Sequence, residues 1–188
     1  MMLTLYTIGH SNQSAEEFLA LLQQHGVMVL VDVRSHPVSK YVPHFNKDAL
    51  QTFIEAHGLS YRYAGQYLGG QPDDPSVYKT ETVPEAGTSR EKFLKKVDYE
   101  AVMQQDWYHK GIQRLLEIVA ETEGGVAIMC SEAAPHDCHR YHLITRSLLD
   151  PYVRVTEEAI QVIHILRDGS REVVDPSEFD KPTQLSLF

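Results

Sequence analysis

Val27-Met28-Val29-Leu30-Val31-Asp32-Val33-Arg34 is the stretch on which the fold turns. An apolar run this continuous suits a parallel strand covered on both faces, since a half-exposed strand would alternate apolar and polar residues. Asp32 and Arg34 interrupt the run only at its end, and two residues apart on a strand they share a face.

Upstream, Leu3 to Ile8 reads as a strand. Ser14-Ala15-Glu16-Glu17 has the spacing of a capping box, opening a helix with an apolar face of Phe18, Leu19, Leu21 and Leu22 that ends at Gly26. Downstream, Asn46 is placed to cap a second helix that closes at His57-Gly58, and Leu59 to Tyr63 reads as a more polar strand. Residues 65 to 89 are rich in Gly, Pro, Asp, Ser and Thr and read as a long surface loop. Residues 90 to 122 follow a helical pattern, split into two helices. Val126 to Cys130 is another buried-type strand, Ser131 to Asp137 a loop, and Cys138 to Leu149 a helix stopped by Asp150-Pro151. Tyr152 to Thr156 reads as a further strand. Ile160 to Leu166 and Arg171 to Val174, joined around Asp168-Gly169-Ser170, read as a hairpin. Strands alternating with helices predict an α/β domain over residues 1–175. Its core is a mostly parallel, Rossmann-like sheet with helices on both faces and a C-terminal β-hairpin. Residues 176–188 read as a flexible tail.

The 188 residues are 43% hydrophobic and 23% charged, which suits one folded domain and excludes wholesale disorder. No stretch approaches the roughly 20 apolar residues that span a bilayer. The N-terminus shows no export signal, and two cysteines without one suit a reducing compartment. A cytoplasmic protein with no membrane association is expected. The formal charge of −9 works against loose, non-specific binding to nucleic acid but leaves room for a local basic pocket.

Parallel sheets bind ligands at the carboxyl ends of their strands. That rule gathers His10, Ser11 and Asn12 after the first strand, Asp32, Arg34, Ser35 and Lys40 at and beyond the second, and Cys130 with Glu132 at the end of a later one. His139 and Arg140 open the helix behind that last strand, and Gly69 and Gly70 offer bare backbone to a ligand. Arg34 and Arg140 suit an anion, because a planar guanidinium holds phosphate or carboxylate through paired hydrogen bonds. Asp32, Glu132 or His139 would then move protons. Two plainer readings stand beside this one: an internal Asp32–Arg34 ion pair, and Arg140 paired with Glu132 or Asp32. Cys130 is also placed to act as a nucleophile with His139 as its base, or to be simply buried. Zinc at Cys130, Cys138, His139 and His10 or His36 is a further reading, but two cysteines supply few soft ligands, and no cofactor is expected. No Gly-x-Gly-x-x-Gly or phosphate-loop signature occurs.

Thr7 to Asn12, the segment from Asp32 to Asn46, Tyr67-Leu68-Gly69-Gly70 and Cys130-Ser131-Glu132-x-x-Pro135-x-x-Cys138-His139-Arg140 closely resemble the domain of unknown function 488 (DUF488) over roughly residues 3 to 168. The resemblance implies an α/β sheet with a site built from these motifs, and no established reaction, substrate or metal. Separately, Gln184-Leu185-Ser186-Leu187-Phe188 looks like the peptide that binds the bacterial DNA polymerase sliding clamp, matching at all five positions. Together these readings lead to an enzyme or ligand-binding domain for a phosphate-bearing small molecule or nucleic-acid end, recruited by the clamp in DNA replication or repair. A non-catalytic clamp-associated adaptor and a thiol- or zinc-dependent protein are the alternatives.

Overall fold

The computed structural model describes residues 2–85, 92 and 95–179. Six strands form one sheet: β1 (Leu3–Gly9), β2 (Val27–Asp32), β3 (Ser60–Tyr63), β4 (Gly125–Cys130), β5 (Ile160–Ile165) and β6 (Arg171–Val173). Their order is β3-β2-β4-β1-β5-β6, parallel throughout except for the antiparallel β5–β6 hairpin. The mostly parallel sheet and terminal hairpin expected from the apolar runs are both present.

Alternation along the central strands explains why both faces are covered. Ile8, Leu30, Ala127 and Met129 pack with Phe18 and Leu22 of α1 (Ala15–Gln24) and with Leu50 and Ile54 of α2 (Lys47–Ala56). Leu5, Val31, Val126 and Ile128 belong to the other core, with Ile112 and Leu115 of the long α5 (Asp106–Glu121). Burying such side chains fully contributes about 1.5–3 kcal/mol each. Ser14 caps α1 in a complete capping box, its Oγ accepting from the Glu17 N–H at 3.1 Å.

Four local expectations are corrected, and one, the pair of helices expected from residue 90, is met with a later start. Asn46 stands at the cap of α2, but its side chain accepts from the Ser39 N–H at 2.6 Å and makes no cap bond. The loop from residue 65 is not structureless. It begins with the short α3 (Gly65–Leu68) and holds a 3-10 turn at Pro75–Val77, and Tyr78 bridges to Val97. The expected helical stretch from residue 90 begins outside the described residues and then resolves into α4 (Tyr99–Met103) and α5. The segment after Cys138 is a π-helical turn, Arg140–Thr145, running into α6 (Arg146–Leu149), not a regular helix. The Thr145 hydroxyl donates to the Arg140 carbonyl at 2.8 Å, a side-chain bond back across the widened turn. Tyr152 to Thr156 forms no strand, because β5 already occupies the edge of β1, and Asp150 draws the Tyr152 N–H into a turn at 2.9 Å.

Pro176–Phe179 forms a 3-10 turn, with the Tyr141 hydroxyl donating to Glu178 at 2.8 Å. The Gln184–Phe188 motif lies outside the described residues. Among the described residues, no helix is long and apolar enough to cross a membrane.

Candidate functional site

β4 lies between β1 and β2, and the chain leaves these strands toward different layers. After β1 and β2 it enters α1 and α2, in one core, whereas after β4 it enters the π-turn and α6, whose Leu143, Ile144 and Leu148 belong to the other. Connections that part in this way open a crevice at the strand ends, which is where ligands of such sheets sit. Two adjoining cavities occupy it. The inner, about 210 Å³, is lined by Arg34, Ser35, Gly70, Cys130, Ser131 and His139 among others. The outer, about 560 Å³, is reached by His10, Ser11, Asn12, Arg34, Ser131 and Glu132. His36 lines both.

Arg34 is the shared residue with the most built around it. Its Nε donates to Asp32 Oδ1 at 2.9 Å and its Nη2 to Asp32 Oδ2 at 2.6 Å, a bidentate pair in which Asp32 is fully buried. Nη2 also donates to the Phe45 carbonyl at 2.8 Å, and Nη1 lies 3.1 Å from His10 Nε2. Four of the five guanidinium N–H groups are thus engaged among the described residues, which leaves one on Nη1. Asp32 is saturated as well, since it also accepts from the Arg34 backbone N–H at 3.0 Å and from the Tyr61 hydroxyl at 2.6 Å. Its geometry is that of a brace that aims Arg34. Burial and the facing carboxylate push the Tyr61 phenol up, so it remains a donor.

His10 completes the brace. Its ring stacks on Phe45 at 4.3 Å and its Nδ1 lies 2.8 Å from the Ser11 carbonyl. Nδ1 therefore carries the proton, and Nε2 accepts from Arg34. Burial first, and then the Arg34 charge, lower its pKa from 6.5 to about 4, so the ring stays neutral.

Arg140, only 1% exposed, is turned to a different task. Its guanidinium donates to the Glu132 carbonyl at 2.6 Å, the Ala133 carbonyl at 2.9 Å and Cys130 Sγ at 2.7 Å, tying the loop after β4 to the π-turn. It is not among the residues lining the two cavities. His139 does face the inner cavity, with Nε2 donating to the Val33 carbonyl at 3.0 Å and Nδ1 3.5 Å from Cys138 Sγ. Cys130 and Cys138 bring their Sγ atoms into contact, with Cα atoms 7.5 Å apart. Disulfides ordinarily span about 4.4–6.8 Å between Cα atoms, so the pair is better described as two apposed thiols. Among the described residues, no three His, Cys, Asp or Glu side chains are grouped to hold a metal ion.

Glycine governs the close approaches. A Cβ on Gly9 would lie 1.6 Å from the Glu132 carbonyl oxygen, and one on Gly70 would lie 2.8 Å from the His139 ring. One on Gly69 would meet Ser35 Oγ, which accepts from the Gln71 N–H at 2.9 Å. Ser35 and Gly70 thus form the wall of the inner cavity, and Gly69 packs against Ser35 without lining it. Asn12 Oδ1 accepts from Arg167 at 2.9 Å, and Lys40 is exposed and outside the lining of the cleft. Residue type and spacing alone do not single out Phe45 or Tyr61. Tyr61 carries a signal, as a tyrosine on the strand beside Asp32. Phe45 contributes a carbonyl and a ring face from a 3-10 turn, which no residue pattern announces.

A family model described as a domain of unknown function, DUF488, matches residues 14–147. No curated protein and no solved structure matches the chain.

Proposed function

The chain belongs to the DUF488 family, and on that premise we propose that its cleft binds a phosphate-bearing ligand, a nucleotide or a nucleic-acid end. Arg34 is the anchor. The observation that carries this reading is that Arg34 is locked by Asp32, Phe45 and His10, keeps one Nη1 N–H, and lines both cavities. A guanidinium fixed in advance loses little freedom when it meets an anion. His139 and Glu132 stand at the rim as groups able to exchange protons with a ligand, whereas Asp32 is consumed in bracing. The test is calorimetric titration with a nucleoside monophosphate and with inorganic phosphate, on the native chain and on Arg34→Lys. Lysine keeps the charge and loses the fork, so at least tenfold weaker binding is expected. No binding by the native chain to either probe removes the anion site.

Thiol chemistry is a second reading with its own support. Cys130 lines the inner cavity and receives a donor from Arg140 at 2.7 Å, with Cys138 and His139 beside it.

Gln184–Phe188 is proposed to carry the domain to the bacterial sliding clamp, and so to DNA replication or repair. Its match to the clamp-binding peptide and the polar, proline-punctuated stretch before it support a tethered ligand.

A further inference from the structure

A separate cavity, about 390 Å³, lies on the outer side of the wall that closes the inner one, between β3, α3 and α5. Arg62, Tyr63, Tyr67, Lys110 and Arg114 line it, and among its described lining residues there is no carboxylate. In a chain of formal charge −9, three cations around one groove run against the overall balance. Lys110 and Arg114 are one helical turn apart on α5, so both face the groove. Gly111 between them lets α3 seat close, since a Cβ there would lie 2.7 Å from the Cβ of Tyr67. That contact holds Tyr67 at the rim with 41% of its surface exposed. Arg62 is exposed on the edge strand β3, and Tyr63 carries Lys47 over its ring at 4.3 Å. Glu117 approaches Arg114 at 2.8 Å, so Arg62 and Lys110 carry more of the positive field. Buried Leu115 and half-buried Ile118 supply an apolar floor.

We infer that this groove binds single-stranded nucleic acid, with cations on the backbone phosphates and the exposed Tyr67 ring stacking on a base. Cations interleaved with aromatic rings over an apolar floor are what a flexible, unpaired strand requires. A duplex hides its base faces, and a purely acidic peptide has no use for the ring. The groove also stands in the right place relative to the cleft. The Tyr63 hydroxyl donates to the Ser35 carbonyl at 3.0 Å, and Gly65 packs against the Arg34 carbonyl, so the segment from Tyr63 to Gly70 separates the two. This inference deepens the reading of the cleft as an anion site and rests on it for one point, that the strand's end reaches Arg34.

Fluorescence anisotropy of the full chain with a labelled, mixed-sequence single-stranded DNA tests it, across a range of salt concentrations. Arg62→Gln/Lys110→Gln/Arg114→Gln is expected to bind at least tenfold more weakly. Its log–log salt slope should be shallower by about 2, at about 0.7 for each phosphate no longer neutralised. Tyr67→Ala should bind about tenfold more weakly and Tyr67→Phe close to normally. Since these side chains line the surface groove, thermal unfolding of each variant should match the native chain. Equal binding by the native chain and the triple variant overturns the inference. So does competition by polyglutamate as strong as by unlabelled DNA, with Tyr67→Ala unaltered, which would mark a general polyanion surface. Absence of any DNA binding overturns it too, and nucleoside monophosphate binding that weakens in Arg34→Lys would then show that the cleft reading survives alone.

Discussion

Asp32 grips Arg34 through two parallel hydrogen bonds, Nε to Oδ1 at 2.9 Å and Nη2 to Oδ2 at 2.6 Å, with the carboxylate fully buried and the guanidinium 6% exposed. The plain reading of these two residues as an internal ion pair and the reading of Arg34 as an anion anchor are therefore compatible. The pair fixes the arginine and leaves one Nη1 N–H for the proposed ligand.

Breaking one side of this pair strands the other in a low-dielectric site. Asp32→Ala is expected to cost about 3–5 kcal/mol of stability. Asp32→Ala/Arg34→Met should cost less than the sum of the two single changes, since neither charge is then left alone. Urea denaturation of the four proteins measures the coupling. Additive losses would show that the pair contributes nothing jointly.

Stability should fall as the solution is acidified from neutral pH. His10 is lowered to about 4 by burial and Arg34, and His164 to about 3 by burial and then Arg140. Both are neutral in the fold, and His164 Nδ1 lies 2.7 Å from the Thr7 hydroxyl. Below pH 6.5 the unfolded chain takes up protons that the folded chain refuses. Each histidine thus costs stability from about 6.5 down to its folded pKa, and nothing further below that. Between pH 7 and 5 the loss should be about 2 kcal/mol per histidine, from 1.36 kcal/mol per pH unit. His164→Gln should remove its own share, read as a flatter dependence of the urea midpoint on pH.

Gly9→Ala should be among the most damaging single-methyl changes in the chain. Its Cβ would overlap the Glu132 backbone oxygen at 1.6 Å and crowd Arg140 Nη1 at 2.7 Å. Overpacking typically costs about 1–3 kcal/mol, and a clash with backbone belongs at or above the top of that range. Thermal unfolding of Gly9→Ala beside Gly70→Ala checks it, the latter meeting first the His139 side chain at 2.8 Å. A smaller loss in Gly9→Ala than in Gly70→Ala would contradict the packing described.

Elemental analysis of protein purified without chelators is expected to find no stoichiometric zinc, because soft ligands at recognised spacings are few. One zinc per chain, lost in Cys138→Ser, would reverse the ranking of the anion and metal readings.

Removing the last five residues should abolish binding to the sliding clamp. Burying Leu185, Leu187 and Phe188 contributes about 1.5–3 kcal/mol each, and ordering a flexible segment takes back about 2–5, which leaves at most about 7 kcal/mol, a weak affinity no tighter than about 10 μM. Titration of the clamp with the native chain, a form ending at Thr183 and Leu187→Ala/Phe188→Ala decides. Equal binding by all three would remove the tail from the recruitment proposal.

The architecture was legible in the sequence because it rests on local periodicity. The unbroken run Val27–Val33 requires cover on both faces, the Ser14–Glu17 box marks a helix start, and Asp168-Gly169-Ser170 marks a hairpin, all within a few residues of chain. The sheet-edge rule likewise picked His10, Arg34, Cys130 and His139 for the cleft. What it left undecided was the direction of each side chain and its partner. Arg140 and Arg34 look alike in sequence, yet one spends its donors on carbonyls of the loop after β4, and the other is held over the cavity by a carboxylate, a carbonyl and a neutral histidine. Asn46 was a sound cap by residue type, but a Ser39 N–H seven residues away claimed its side chain. The π-turn at Arg140–Thr145 and the groove of Arg62, Tyr67 and Lys110 have the same origin. Their members come from separate elements, and only packing of those elements determines which hydrogen-bond donors, rings and charges end up facing one another.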